Sequence, residues 1–125
     1  MANSRPPFQF GMRALLGAVA AVAVGICIWD NTVDPGGKAL GVFFGHRTVY
    51  AEGYSDRGWN AVHVGMSKEK VLKILGEPLA QFTRRNRDYC AYSGWEPDRK
   101  GNYHRRDVTF EDGHVSEKIT EFCID

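Results

Sequence analysis

Three cysteines, four histidines and a run of arginines set among aromatic residues are the side chains of this chain with chemistry to offer. Cys90 and Cys123 are the thiols that could form a disulfide in an oxidising compartment, where closing such a loop stabilises by roughly 3–4 kcal/mol. On a plain meander their strands lie two spacings apart, about 9.5 Å, beyond the ~7 Å Cα limit of a bridge. A displaced C-terminal tail would close that gap. With His104 and His114 the same cysteines could supply metal ligands, but no C-x-x-C or H-x-x-x-H spacing supports such a site. His46, His63, His104 and His114 are singly placed, and there is no G-x-S-x-G elbow, H-E-x-x-H, P-loop or Rossmann fingerprint. The reading is therefore a non-enzyme with no catalytic residue, no metal, no cofactor and no small-molecule substrate.

Recognition is the chemistry that remains. Arg84, Arg85, Arg87, Arg99, Lys100, Arg105 and Arg106 outnumber Asp88, Glu96 and Asp98 in the same stretch, whereas from Asp107 onward the acids face Lys118 alone. With Tyr89, Tyr92 and Trp95 interleaved, a nucleic-acid surface is one way to use those cations. A net charge of +1 and a pI near 7.8 speak against it. Anionic lipid heads or an acidic protein surface suit the basic stretch better. Residues 95–102 read as a long inter-strand loop, and Trp95 on it is either a partner contact, with Arg84, Arg85 and Arg87, or a side chain folded over the core edge.

These residues need elements to hold them, and the best-defined element lies just upstream. Gly65-Met66-Ser67 followed by Lys68 to Leu75, then Gly76-Glu77-Pro78, carries the start and stop signals of a short helix. Ser67 is placed to cap it, Glu69 suits the positive end of its dipole, and Met66 with Val71 has the spacing of a hydrophobic staple. Gly76 fits a left-handed residue just past the end, and Pro78 forbids continuation. Val71, Leu72, Ile74 and Leu75 form an apolar stripe, and a helix this short must dock to persist.

Residues 107–120 provide the receiving surface. Asp112-Gly113 is a favoured two-residue hairpin turn between two β-prone runs. It places Glu111 opposite His114, Phe110 opposite Val115 and Val108 opposite Glu117, with Val108, Phe110, Val115 and Ile119 on the buried face. Tyr89 to Ser93 reads as a preceding strand, and 79–83 as a weaker one. The fold class is α+β: a short helix or helices on an antiparallel three- to four-stranded meander.

The pattern G-M-S-x-x-x-V-x-x-x-L-G-x-P over residues 65–78, followed by V-x-F-x-D-G-x-V over 108–115, resembles the SmpA/OmlA domain family, that of BamE-like outer-membrane protein assembly factors. The resemblance spans about residues 62–120. Gly65, Met66, Ser67, Val71, Leu75, Gly76, Pro78, Phe110 and Gly113 carry it as structural positions. It implies a cell-envelope protein-interaction module with protein partners, in outer-membrane protein assembly or envelope integrity. The alternative is a sensor of anionic ligands or lipids on the same fold.

The N-terminus points to the same compartment. Residues 11–29 form an apolar run long enough to cross most of a ~30 Å hydrocarbon core, with Arg5 and Arg13 before it and Asp30 and Asp34 after it. That asymmetry leaves residues 1–10 as a cytoplasmic tail, makes 11–29 a single transmembrane span and sends the domain to the periplasmic side. Two processed forms compete. Small-residue sites at 18–23 fit signal cleavage and secretion, and residues 24–27 have the outline of a lipobox ending at Cys27, which would give an outer-membrane lipoprotein. Residues 30–61, rich in glycine, read as a tether, and 62–125 as the domain.

Overall fold

The computed structural model describes residues 11–125, with 29–31 as backbone only. The chain divides at Asn31 into two units. The first contains helix α1 (Met12–Asn31), whose Leu15, Leu16, Val19, Val22, Val24, Ile26 and Ile28 are all more than half exposed. The membrane-spanning helix expected over 11–29 is not supported: among the described residues no helix is long and apolar enough to cross a membrane. The expected tail, residues 1–10, lies outside the described residues.

The second unit, Thr32–Asp125, is an α+β fold. Helices α2 (Pro35–Phe44), α3 (Asp56–Ala61) and α4 (Lys68–Leu75) accompany strands β1 (Thr48–Tyr50), β2 (Ala80–Arg84), β3 (Arg87–Ala91), β4 (Ser93–Trp95), β5 (Tyr103–Glu111) and β6 (His114–Cys123). The main sheet is antiparallel in the order β2-β3-β5-β6, and β1 pairs with β4 in a second, two-stranded sheet. Where a tether was expected, over 30–61, the chain instead forms α2, β1 and α3.

Each helix start has a local cause. Asp34, at φ 46°, accepts from the Gly37 amide at 2.9 Å and precedes Pro35 at the start of α2. Ser55 accepts from Gly58 N at 3.0 Å to cap α3, and Ser67 accepts from Lys70 N at 3.4 Å to cap α4. The end of α4 at Leu75 is also as the sequence indicates. Gly76 follows with φ 72° and ψ −163°, at positive φ but outside the left-handed helical region expected for it, in a region open essentially to glycine. A Cβ there would lie 3.3 Å from Gly53 Cα. A Gly76→Val variant should therefore lose about 1–3 kcal/mol. Its thermal midpoint should fall by at least ~4 °C, and an unchanged melting curve would refute this account of the helix end.

The β5–β6 hairpin turns through Asp112 and Gly113, both at positive φ, with Glu111 opposite His114 and Phe110 opposite Val115. Beyond that point the register differs from the expected one. A bulge at Ser116, whose hydroxyl donates to Thr109 O at 3.1 Å, sets Thr109 opposite Glu117 and Val108 opposite Lys118. Ile119 accordingly falls opposite Asp107, away from the core, and Lys118 takes the helix side. There its ammonium donates to Trp59 O at 2.6 Å and Val62 O at 3.0 Å, so a cation closes the C-terminal end of α3. The core beneath the helices joins Trp59, Val62, Val71, Leu75, Cys90, Tyr92, Val108, Phe110 and Val115.

Candidate interaction surface

Strand alternation divides the side chains of the main sheet. Cys90, Arg106, Val108 and Phe110 point to the helices, whereas Phe82, Tyr89, Ala91, Arg105, Asp107 and Ile119 point away. That second face holds a depression of about 140 Å³, lined by Phe82, Tyr89, Cys90, Ala91, Arg105, Asp107, Thr109, Glu117 and Ile119. Phe82 and Tyr89 stack across β2 and β3 with centroids 4.8 Å apart, and Phe82 is still 59% exposed. Arg105 is held from two sides, by Asp107 and by Glu121 at 2.9 Å. The hydrogen bond to Asp107 pushes its guanidinium pKa far up, so it stays charged at any physiological pH. The surface thus joins an exposed aromatic pair to a fixed charge cluster.

Strand β2 is one edge of this sheet, with all five residues exposed. Its hairpin to β3 turns through Arg85 (φ 50°) and Asn86 (φ 63°), which places Arg84 directly opposite Arg87. Arg87 also pairs with Glu111 at 3.2 Å. Arg84, Arg85 and Arg87 therefore gather at one tip. Trp95 does not join them. It pairs with Thr48 of β1 and lies 4.6 Å from the Tyr103 ring, at the start of β5, whereas Arg87 faces Glu111 at its end. Eight residues of strand, roughly 27 Å, separate the two.

The possible disulfide is not formed. Cys90 and Cys123 carry free thiols, on strands separated by β5. Cys90 points into the core opposite Val108, and Cys123 lies on the other face opposite Tyr103, so no shift of the tail alone would bring them together. Burial pushes both thiols up in pKa. Among the described residues no three His, Cys, Asp or Glu side chains form a metal-holding group. His104 is buried beside the His46 ring at 4.5 Å. Burial foremost, then His46 and Arg106, lowers its pKa and keeps it neutral at pH 7.

One group of polar residues was not anticipated from the sequence. Arg106 is wholly buried; its Nε donates to Tyr54 Oη at 3.3 Å and its Nη1 donates to Arg105 O at 2.7 Å, with Asp34 Oδ2 at 4.0 Å. Tyr54 donates to Asp56, which Lys38 also holds at 2.7 Å. This network joins α2, α3 and β5 under the sheet. A signal for it existed, because Arg106 is in phase with Val108 and Phe110 along β5.

Against known families, residues 56–120 match the model described as the outer membrane protein assembly factor BamE domain. No curated protein matches the chain. The matched stretch takes in α3, α4, the main sheet as far as Thr120 and the surface described above; α1 and α2 precede it.

Proposed function

The chain belongs to the family of the outer membrane protein assembly factor BamE domain, and on that premise we propose that it is a non-enzymatic protein-interaction module of the cell envelope, acting in outer-membrane protein assembly. The observation that carries the reading is the sheet face turned away from the helices, with its exposed Phe82–Tyr89 stack and its open β2 edge. A depression of about 140 Å³ is small for an organic ligand, whose pockets run to roughly 300–1,000 Å³. A protein surface, or a strand added at β2, suits it better. Arg84, Arg85 and Arg87 at the adjoining tip supply charge for steering an acidic partner.

In this reading the N-terminal segment serves the envelope location: cleavage before a lipidated Cys27 would make the chain an outer-membrane lipoprotein, and the mass of the mature chain tests it. The alternative, a sensor of anionic ligands, draws on Arg84 and Arg85, which share the tip with Arg87, whose charge Glu111 already meets.

The test is a double variant, Phe82→Asp with Ile119→Asn. Both side chains lie on the open face, so the domain should melt within a few degrees of the parent. The content of β-barrel proteins in the outer membrane of the native cell should fall several-fold. A folded double variant with unchanged barrel content would overturn the reading. Anionic-ligand binding lost on Arg84→Ala/Arg85→Ala/Arg87→Ala would favour the alternative.

A further inference from the structure

The β2–β3 hairpin fixes which backbone groups of β2 point out of the sheet. Its two turn residues, Arg85 and Asn86, make Arg84 and Arg87 the closing hydrogen-bonded pair, and antiparallel alternation then bonds Phe82 to Tyr89. The N–H and C=O of Gln81 and Thr83 accordingly face the open side. An edge of this kind is normally blunted by lysine, proline, a bulge or an inward charge. From Ala80 to Thr83 there is none of these, and the register with β3 is unbroken.

The side chains add a pattern to that edge. Phe82 and Arg84 lie on the open face, whereas Gln81 and Thr83 turn to the helix side, where Thr83 donates to Asp88 at 2.6 Å. A strand laid antiparallel on β2 would bond to Gln81 and Thr83. Its residue opposite Phe82 would then sit in a non-hydrogen-bonded pair, with Cα atoms about 4.5 Å apart. An aromatic or β-branched side chain there extends the Phe82–Tyr89 stack, whose outer ring is 59% exposed.

Charge selects the residue two places earlier, which falls opposite Arg84. Of the acids at this end of the sheet, Asp88 is held by Lys68 at 2.8 Å and Glu111 by Arg87 at 3.2 Å. Asp112 belongs to the β5–β6 turn, two strands from β2. Arg84 and Arg85 therefore set the sign at the edge itself. A carboxylate opposite Arg84 is favourable, and a lysine or arginine there is not.

We infer that β2 takes up an extended protein segment of the pattern acid-x-apolar, with the acid opposite Arg84 and an aromatic or β-branched residue opposite Phe82. The inference rests on the reading that this face meets protein, and it names the conformation and chemistry of the segment that reaches it.

The test selects binders of the full chain from a displayed library of random linear peptides. Enriched peptides should share an acid two residues before an aromatic or β-branched residue. A synthetic peptide of that pattern should bind Gln81→Ala as it binds the parent, and Gln81→Pro about tenfold or more weakly, because proline removes the outward N–H without removing a bond to β3. Arg84→Glu should reverse the preference, so that lysine replaces the acid. Two modified peptides probe the pairing without altering the protein. Methylating the backbone nitrogen of the residue between the acid and the apolar one, which faces Thr83, should abolish binding, whereas methylating that of the apolar residue should leave most of it.

Peptides whose binding survives both Gln81→Pro and the first methylation would overturn strand addition while leaving the open face as an interaction surface. The absence of any enriched pattern would overturn it too, and barrel content in cells carrying Phe82→Asp with Ile119→Asn would judge that surface by itself. A dimer of the full chain that is lost in Gln81→Pro would give the edge to a second copy and also overturn the inference. Binding of the expected pattern with unchanged barrel content would uphold the inference and remove the assembly role.

Discussion

Arg106→Ala is expected to destabilise the domain by about 3–5 kcal/mol, the cost of breaking a buried ionic cluster by removing one partner. The guanidinium is fully buried, and what it leaves behind is also enclosed. Asp34 Oδ2 is buried without a hydrogen-bond partner and has the Arg106 cation 4.0 Å away as its counter-charge. Tyr54 would lose the donor to its phenolic oxygen, which burial already drives far up in pKa. On the other side of Tyr54, burial raises the Asp56 carboxyl, but hydrogen bonds from Lys38 and Tyr54 outweigh it and leave the pKa below its usual 3.8. A carboxyl depressed in the folded state stabilises fully above its unfolded pKa and less as pH falls through the folded one. Asp56 is therefore charged at pH 7, where urea denaturation should be measured. Because Asp34 also caps α2, amides of α2 should exchange faster in the variant than those of β5. Arg106→Met, which fills the volume without a charge, should recover less than half of the loss, since Asp34 stays unpaired. A loss under 1 kcal/mol for Arg106→Ala would show that the cluster does not hold α2 in place.

Sequence and structure agree where the determinants are local and part where they are not. Helix α4 was legible because Ser67, Gly76 and Pro78 act on the backbone within one turn of themselves. The Asp112–Gly113 turn was legible for the same reason, since both residues favour the positive φ they adopt. The register of β6 was not, because a bulge adds one residue at Ser116 without a composition of its own, and every residue beyond it changes face. Ile119 left the core and Lys118 entered it on that account. The glycines of 30–61 suggested flexibility, but Gly41 meets His104 and Gly53 meets Leu75 O, positions that need a missing Cβ for close packing. Of the interaction surface, Arg84, Arg85 and Arg87 were marked by charge alone. Phe82 was not, because its exposure depends on β2 lying at the sheet edge, a matter of strand order. The side-chain partners of Arg106, Tyr54 and Asp34, lie more than fifty residues away in sequence, so its phase along β5 was visible and its purpose was not.

Trp59→Ala should cost about 3–5 kcal/mol, and the loss should be strongly coupled to Lys118. Trp59 is 1% exposed and fills the space between α3 and the sheet, with Tyr54 and Tyr92 ring centroids at 6.0 and 6.4 Å. Its indole N–H donates to Thr120 Oγ1 at 2.9 Å, and its ring lies 5.0 Å beneath the Lys118 ammonium. Its carbonyl accepts from the same ammonium, so ring, carbonyl and cation form one joint between α3 and β6. Burial, then the nearby Arg106, lowers the Lys118 pKa, which means that the cation sits where charge is unwelcome and depends on these partners. Replacing Lys118 with Met would relieve that cost but strand the Val62 carbonyl, Trp59 O keeping its bond from Val62 N, for a net loss of about 1–3 kcal/mol. In a double-mutant cycle of Trp59→Ala with Lys118→Met, the coupling should reach at least ~1 kcal/mol, well above the ~0.3–0.5 kcal/mol scatter of independent sites. Trp59→Phe should retain most of the packing and lose the bond to Thr120. Additive losses in the cycle would mean that Lys118 closes α3 through its carbonyls alone. The bulge at Ser116 would then serve the helix end and leave the aromatic core untouched.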